Sequence, residues 1–238
     1  MLQNWMDASY VENVQRILIP ATRDTLHMVG MSALYSLVLG LALGTIIYLG
    51  APDGLLERFV IKSRWAFVVN RAINVVLGSL VNVFRSLPFV VLVFAFFPLA
   101  RFIVGSSIGT AAAIVPLTVA ATPFIARLTQ ATFNELSKGV VEAAICSGAS
   151  LPQTFVRVIL KESAPGLILN TTIAIINLVG LSAMAGLIGG GGLGDAARRY
   201  GFDRFQTNIL IYCIIILVVL VQLVQFAGDY SARKLDKR

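Results

Sequence analysis

Long apolar runs alternate with short polar breaks along this chain, and the pattern predicts membrane-spanning helices. Apolar residues fill 28–49, 73–97, 108–128, 167–188 and 209–227. Each run is near the roughly 20 residues that a helix needs to cross the hydrocarbon core of a bilayer. Gly40 and Gly44 fall on one helical face of the first run, a spacing that suits close helix–helix approach. The second run is interrupted by Asn74, Asn82, Arg85, Ser86 and Pro88, so it can be drawn from Ile73 to Phe97 or from Leu80 to Val104. The third holds Pro116 and Pro123, which predict a bent helix whose freed carbonyls must be satisfied by neighbours. In the fourth, Asn177 and Ser182 lie deep enough to face the interior. Ahead of the first run, residues 1–25 carry Trp5, Tyr10, Val14, Ile17 and Leu18, with Asp7, Glu12 and Arg16 opposite. They read as a short amphipathic surface helix or as a solvated cap on the first span.

The longest polar passage, residues 135–165, lies between the third and fourth runs. Ser137 predicts a helix start near Gly139, and Gly148 a left-handed helix end. Ser150-Leu151-Pro152-Gln153 has the form of a capping box for a second helix, and Pro165 marks the start of the next span. Two helices then meet around Gly148 and Ala149. The first offers Glu142 beside Ala143 and Ala144, small residues that permit close docking. The passage reads as a helix–turn–helix pressed against another protein on the water side of the membrane.

Composition agrees with the pattern. The chain has 238 residues, 57% hydrophobic and 13% charged, with a mean hydropathy of +0.83; soluble domains carry about 25% charged residues. An all-α, multi-span membrane protein of one bundle follows. The net charge of +7 comes from Lys and Arg gathered in loops beside apolar runs, with no basic stripe interleaved with aromatics, so no nucleic acid is expected. With residues 135–165 inside the cell, Arg58, Lys62, Arg64, Arg71, Arg127, Lys138, Arg157, Lys161 and the basic tail 230–238 fall inside as well. That leaves about twice as many cations inside as outside. Five spans then place the N-terminus outside and the C-terminus in the cytoplasm. The first 25 residues have no basic leader and do not read as a cleaved signal. Cys146 and Cys213 suggest no disulfide framework, and with the single His27 no metal site is expected.

Candidate chemistry is sparse. There is no G-x-x-x-x-G-K-[ST] stretch to bind ATP. Gly189, Gly191 and Gly194 form a G-x-G-x-x-G, but it follows a membrane run rather than a strand; it reads as a flexible external turn or a packing site. His27 sits at a span edge, which disfavours an intramembrane serine protease. The spans contain no Asp or Glu, which disfavours a proton-coupled carrier. No catalytic residue is expected, and energy must arrive from elsewhere. Arg85, with Ser86 and Pro88, either lines or gates a pathway or snorkels to the headgroups. Pro116, Pro123, Asn177 and Ser182 complete the pathway candidates.

Glu142-Ala143-Ala144-x-x-x-Gly148, between two spans, resembles the EAA loop of ABC importer permeases. Phe84-Arg85-Ser86-Leu87-Pro88-Phe89, Thr122-Pro123-Phe124-Ile125-Ala126-Arg127, Gly189 to Gly194 and Gln225-Phe226-Ala227-Gly228-Asp229 narrow the resemblance to permease subunits of bacterial methionine importers. It extends from Ala21 to Asp229; Cys146-Ser147 departs from its usual small or apolar pair. The resemblance implies a type I ABC importer permease-like fold with five transmembrane helices per subunit, 26–229, in the bacterial inner membrane. It implies a homodimer, two cytoplasmic ABC ATPase subunits and an external substrate-binding lipoprotein. Lys138, Val140, Glu142, Ala143, Ala144, Ser147, Gly148, Leu151 and Pro152 would couple to the ATPase. ATP and Mg would bind that partner, with no cofactor on this chain. The cargo implied is methionine, L- and D-; another amino acid or small metabolite, or a self-sufficient secondary carrier, stands as the alternative.

Overall fold

The structure, a computed structural model, describes residues 8–52, 54–60 and 63–235, without the side chains of 8–11 and 13. Expectations placed on Trp5, Asp7, the Tyr10 side chain, Asp53, Lys62, Asp236, Lys237 and Arg238 lie outside the described residues. The described residues are all-helical. Among them, five helices are long and apolar enough to cross a membrane: Val14–Leu49, Arg64–Ser86, Thr110–Asn134, Leu151–Gly190 and Thr207–Leu235. We label the elements α1 (Ala8–Leu49), α2 (Leu55–Phe59), α3 (Arg64–Ser86), α4 (Phe89–Val104), α5 (Thr110–Asn134) and α6 (Lys138–Cys146). These are followed by α7 (Leu151–Gly190), α8 (Gly192–Ala196) and α9 (Thr207–Leu235).

Several boundaries differ from the sequence reading. The N-terminal segment is not a separate surface helix: α1 runs for 42 residues with Pro20 inside it. Pro20 does not stop the helix, and no glycine lies between Leu18 and His27. The second apolar run is not one span in either register. It breaks at Leu87, whose backbone is extended at φ −79° and ψ 133°, because Pro88 disfavours a helical residue before it. Pro88 then caps α4, a 16-residue apolar helix. Pro116 and Pro123 lie within the 25-residue α5 without ending it. Pro165 likewise starts nothing, because the second helix of the polar passage is the first part of α7. Finally, α9 continues through Gly228 to Leu235, beyond the expected end at Ala227.

The chain divides into two compact units. One takes residues 8–35, 88–119 and 175–225. Its core gathers Ala21, Leu193, Ala196, Ile209 and Cys213, with Ile17 and Tyr200 packed against them. The other takes residues 36–87, 120–174 and 226–235. One of its clusters joins Ile47, Val81 and Ala126. Here Gly40 and Gly44 face α5: a Cβ on Gly40 would stand 2.7 Å from Ile125 Cβ, and one on Gly44 would stand 2.5 Å from the Ala126 carbonyl oxygen. The missing side chains therefore set how closely α1 approaches α5. The last turn of α1 is tied to α3, with Asn74 Nδ2 donating to the Ile47 carbonyl at 2.7 Å and Asn70 Nδ2 to the Gly50 carbonyl at 3.1 Å. These amides satisfy carbonyls that a helix end leaves without partners.

Much of the apolar surface stays uncovered. Val75 and Val76 on α3, and Ile214, Ile215, Val218 and Leu223 on α9, are all at least half exposed. In water that would be a liability; in a bilayer it is the side turned to lipid or to another membrane helix.

Candidate functional site

Helix α6 is built as a two-faced element. Val141 and Ile145, one turn apart, pack against a cluster of Leu55, Phe133 and Ile159. Aromatic rings stiffen that cluster: Phe133 lies 5.1 Å from Tyr48 and 5.7 Å from Phe155 between ring centroids, distances at which tilted aromatic pairs attract. Lys138, Val140, Glu142, Ala143 and Ser147 fall on the exposed side, and Ala144 is half-buried at the margin. No residue of α6 is fully buried. The helix is thus held by two aliphatic anchors and offers its remaining surface outward.

Its end is equally defined. The Ala149 N–H donates to the Ala144 carbonyl at 3.1 Å, and the Gly148 N–H to the Ile145 carbonyl at 2.9 Å. This is the paired bonding of a Schellman ending, with Gly148 in the left-handed region at φ +80°. Nothing lies within 4 Å of where a Gly148 Cβ would point, so the demand for glycine here is one of backbone conformation. The Ser147 hydroxyl donates to the Ala143 carbonyl at 2.8 Å. After the turn, the Ser150 N–H donates to the Gln153 side chain at 2.9 Å, which starts α7 with Pro152 in its first turn. Leu151 packs with the cluster under α6, so of the candidate coupling residues it joins the support rather than the exposed face. Helix α7 then widens over Thr154–Ile159, a local change of helical pitch found often at functional sites.

A cavity of about 230 Å³ lies beside α6, walled by Tyr48, Pro52, Leu55, Arg58, Lys138 and Glu142 among others. Ser137 precedes α6 with an extended backbone but makes no side-chain cap. Cys146, at the last position of α6, is exposed, whereas Cys213 is buried.

The pathway candidates differ in exposure. Arg85 and Ser86 lie exposed in the last turn of α3, and Pro88 is exposed at the start of α4. The Ser86 hydroxyl donates to the Val83 carbonyl at 2.8 Å. Pro116 and Pro123 are buried within the chain's own packing. Ser182 is buried, and its hydroxyl is taken by the Val179 carbonyl at 2.7 Å. Asn177 lies on an exposed side of α7.

The glycine run is a packed corner rather than a flexible turn. Gly191 and Gly192 both have positive φ, at +79° and +78°, and a Cβ on Gly192 would come within 2.6 Å of Thr25 Oγ1. The Leu193 N–H donates to that same Thr25 oxygen at 2.8 Å. Behind it, Asp195 is only 8% exposed and accepts from Arg199 Nε at 2.8 Å and from Arg198 Nη2 at 3.4 Å. Sequence reasoning missed this network because Thr25 and Leu193 are distant along the chain. It also missed the Val141–Ile145 anchors, although their one-turn spacing is a readable signal. Among the described residues, no group of three or more His, Cys, Asp or Glu side chains is placed to hold a metal ion.

Residues 59–238 match the family of binding-protein-dependent transport system inner membrane components. The chain is 43% identical over 222 residues to the probable D-methionine transport system permease protein MetI of Vibrio cholerae, covering 93% of each chain. It is 37% identical over 227 residues to the D-methionine transport system permease protein MetI of Escherichia coli, covering 95% of this chain and 99% of the other. Among solved structures, an inward-facing form of the MetNI methionine ABC transporter superposes with a TM-score of 0.86 at 36% identity. That match covers 98% of this chain and all (100%) of the other.

Proposed function

We propose, from the premise that this chain belongs to the binding-protein-dependent inner-membrane transport components, that it is the permease subunit of an ATP-driven methionine importer. It is a multi-pass inner-membrane protein and a transporter component; hydrolysis belongs to a separate ATPase chain. The cargo includes D-methionine, as the names of the relatives suggest. The permease works as a homodimer with two ATPase subunits on its cytoplasmic side and a binding lipoprotein outside. Its N-terminus is external and its C-terminus cytoplasmic.

The observation that carries the coupling role is the construction of α6. Val141 and Ile145 fix it to the chain, leaving Lys138, Val140, Glu142, Ala143, Ala144, Ser147 and Gly148 for the ATPase. A partner that moves α6 drags the Phe133–Ile159 cluster and the start of α7 with it. Closure of the ATPases on ATP then biases the permease between inward- and outward-facing arrangements, which is alternating access by rigid-body motion.

The test is uptake of labelled methionine into proteoliposomes holding permease, ATPase and binding protein. Uptake should require ATP and all three components, and unlabelled methionine should compete better than other amino acids. Substitution Gly148→Asp should abolish substrate-stimulated ATP hydrolysis in the assembled complex. Stimulation that survives intact removes the coupling assignment; uptake by the permease alone replaces the whole reading with a carrier.

A further inference from the structure

We propose that the cavity beside the glycine corner is a binding site for a free zwitterionic α-amino acid with an apolar side chain. The proposal rests on the reading of the chain as a methionine permease and adds a cargo-binding site on this subunit.

The cavity measures about 200 Å³ and is bounded by one stripe of α1 and one face of the helical stretch beginning at Gly192. Ile17, Pro20 and Asp24 recur at three- and four-residue intervals, which aligns them along one side of α1. Asp195 and Arg199, four residues apart, face them from the other wall.

Charge decides the class of ligand. The lining carries two carboxylates, Asp24 and Asp195, and two guanidiniums, Arg199 and Arg16, of which Arg16 is paired with Glu12 at 2.6 Å. A simple anion would meet Asp24, and a simple cation would meet the arginines. A molecule carrying an ammonium and a carboxylate on one carbon satisfies both. Among the described residues Asp24 makes no hydrogen bond or ion pair. Its Oδ2 lies 3.7 Å from where a Gly191 Cβ would stand, so the absent side chain leaves that carboxylate open to the cavity. Arg199 commits only Nε, to Asp195 at 2.8 Å, and its side chain is 58% exposed, so both Nη groups remain for a carboxylate. The ammonium would sit against Asp24 and the carboxylate against Arg199, as charge-assisted hydrogen bonds. Ile17, Pro20 and Ala21 supply the apolar wall for the side chain.

The test is equilibrium binding of labelled methionine to the purified permease–ATPase complex in nanodiscs, without binding protein. Because the ATPase is the same in every sample, differences between variants report on this subunit. Asp24→Asn and Arg199→Gln should each weaken a methionine-binding component at least tenfold. Arg71→Gln, exposed on α3 and outside the cavity, should bind as the parent does. Neither 3-(methylthio)propylamine, which lacks the carboxylate, nor 4-(methylthio)butanoate, which lacks the ammonium, should compete. The site is refuted if the parent complex binds no methionine, if both variants bind like the parent, or if either one-charge analogue competes well. In a second arm with binding protein added, variants that weaken only its association and leave methionine binding intact also refute the site. Failure of the complete system to import methionine would instead overturn the functional reading; import with variant-insensitive binding removes the site alone.

Discussion

The Thr25 hydroxyl accepts the Leu193 backbone N–H at 2.8 Å across 168 residues of sequence. Thr25 is 2% exposed and Leu193 is fully buried, so water cannot replace the bond. Thr25→Val keeps the shape, removes the acceptor and strands a buried donor, which costs about 1–3 kcal/mol. The melting midpoint of the purified complex should fall, and Thr25→Ser should restore most of it. An unchanged midpoint for Thr25→Val would show that this contact is not what holds the corner.

Gly148 gives a separable prediction. Gly148→Ala must hold an L-residue in the left-handed region, at about 1–2 kcal/mol. With no atom within 4 Å to obstruct the new methyl, the fold has no other reason to change. The variant should reach the membrane at normal levels while its ATP hydrolysis responds less to loaded binding protein.

The two faces of α6 should fail differently. Ile145→Ala removes an anchor that is only half-buried, so the loss should be about 1–2 kcal/mol, below the 2–5 kcal/mol typical of a full core position. Permease stability should drop with it. Ala143→Leu adds bulk on the exposed face and should leave permease melting unchanged while reducing co-purification of the ATPase. If Ala143→Leu retains the ATPase fully, the docking face has been assigned to the wrong side.

At the other end of the chain, a Cβ on Gly228 would collide with Thr172 Oγ1. Gly228→Ala should destabilise by about 1–3 kcal/mol through overpacking. Adding Thr172→Ala should recover part of that loss, because the two changes share one contact and cannot be additive. Strict additivity in a thermal-unfolding cycle would contradict the packing.

The sequence made some of this legible and hid the rest for physical reasons. Apolar runs long enough for a bilayer announce themselves, because lipid tolerates few charges. Breaks are harder. Pro88 splits a run while Pro20, Pro116 and Pro165 do not, since proline ends a helix only where neighbours do not carry the segment on. The glycines at 189–194 read equally as a flexible turn or a packing site, because absence of a Cβ serves both, and only the approach of Thr25 decides between them. In α6 and its end, Glu142 to Gly148 could be read locally. Its support from Tyr48, Leu55, Phe133 and Ile159 could not, because those residues meet only after folding.

Cys146 closes the exposed face of α6 while Cys213 lies sealed in its own core. An alkylating reagent should therefore titrate one thiol in the free subunit. If the ATPase docks on α6 as proposed, the fraction left unmodified in a membrane preparation would count the subunits that have a motor attached.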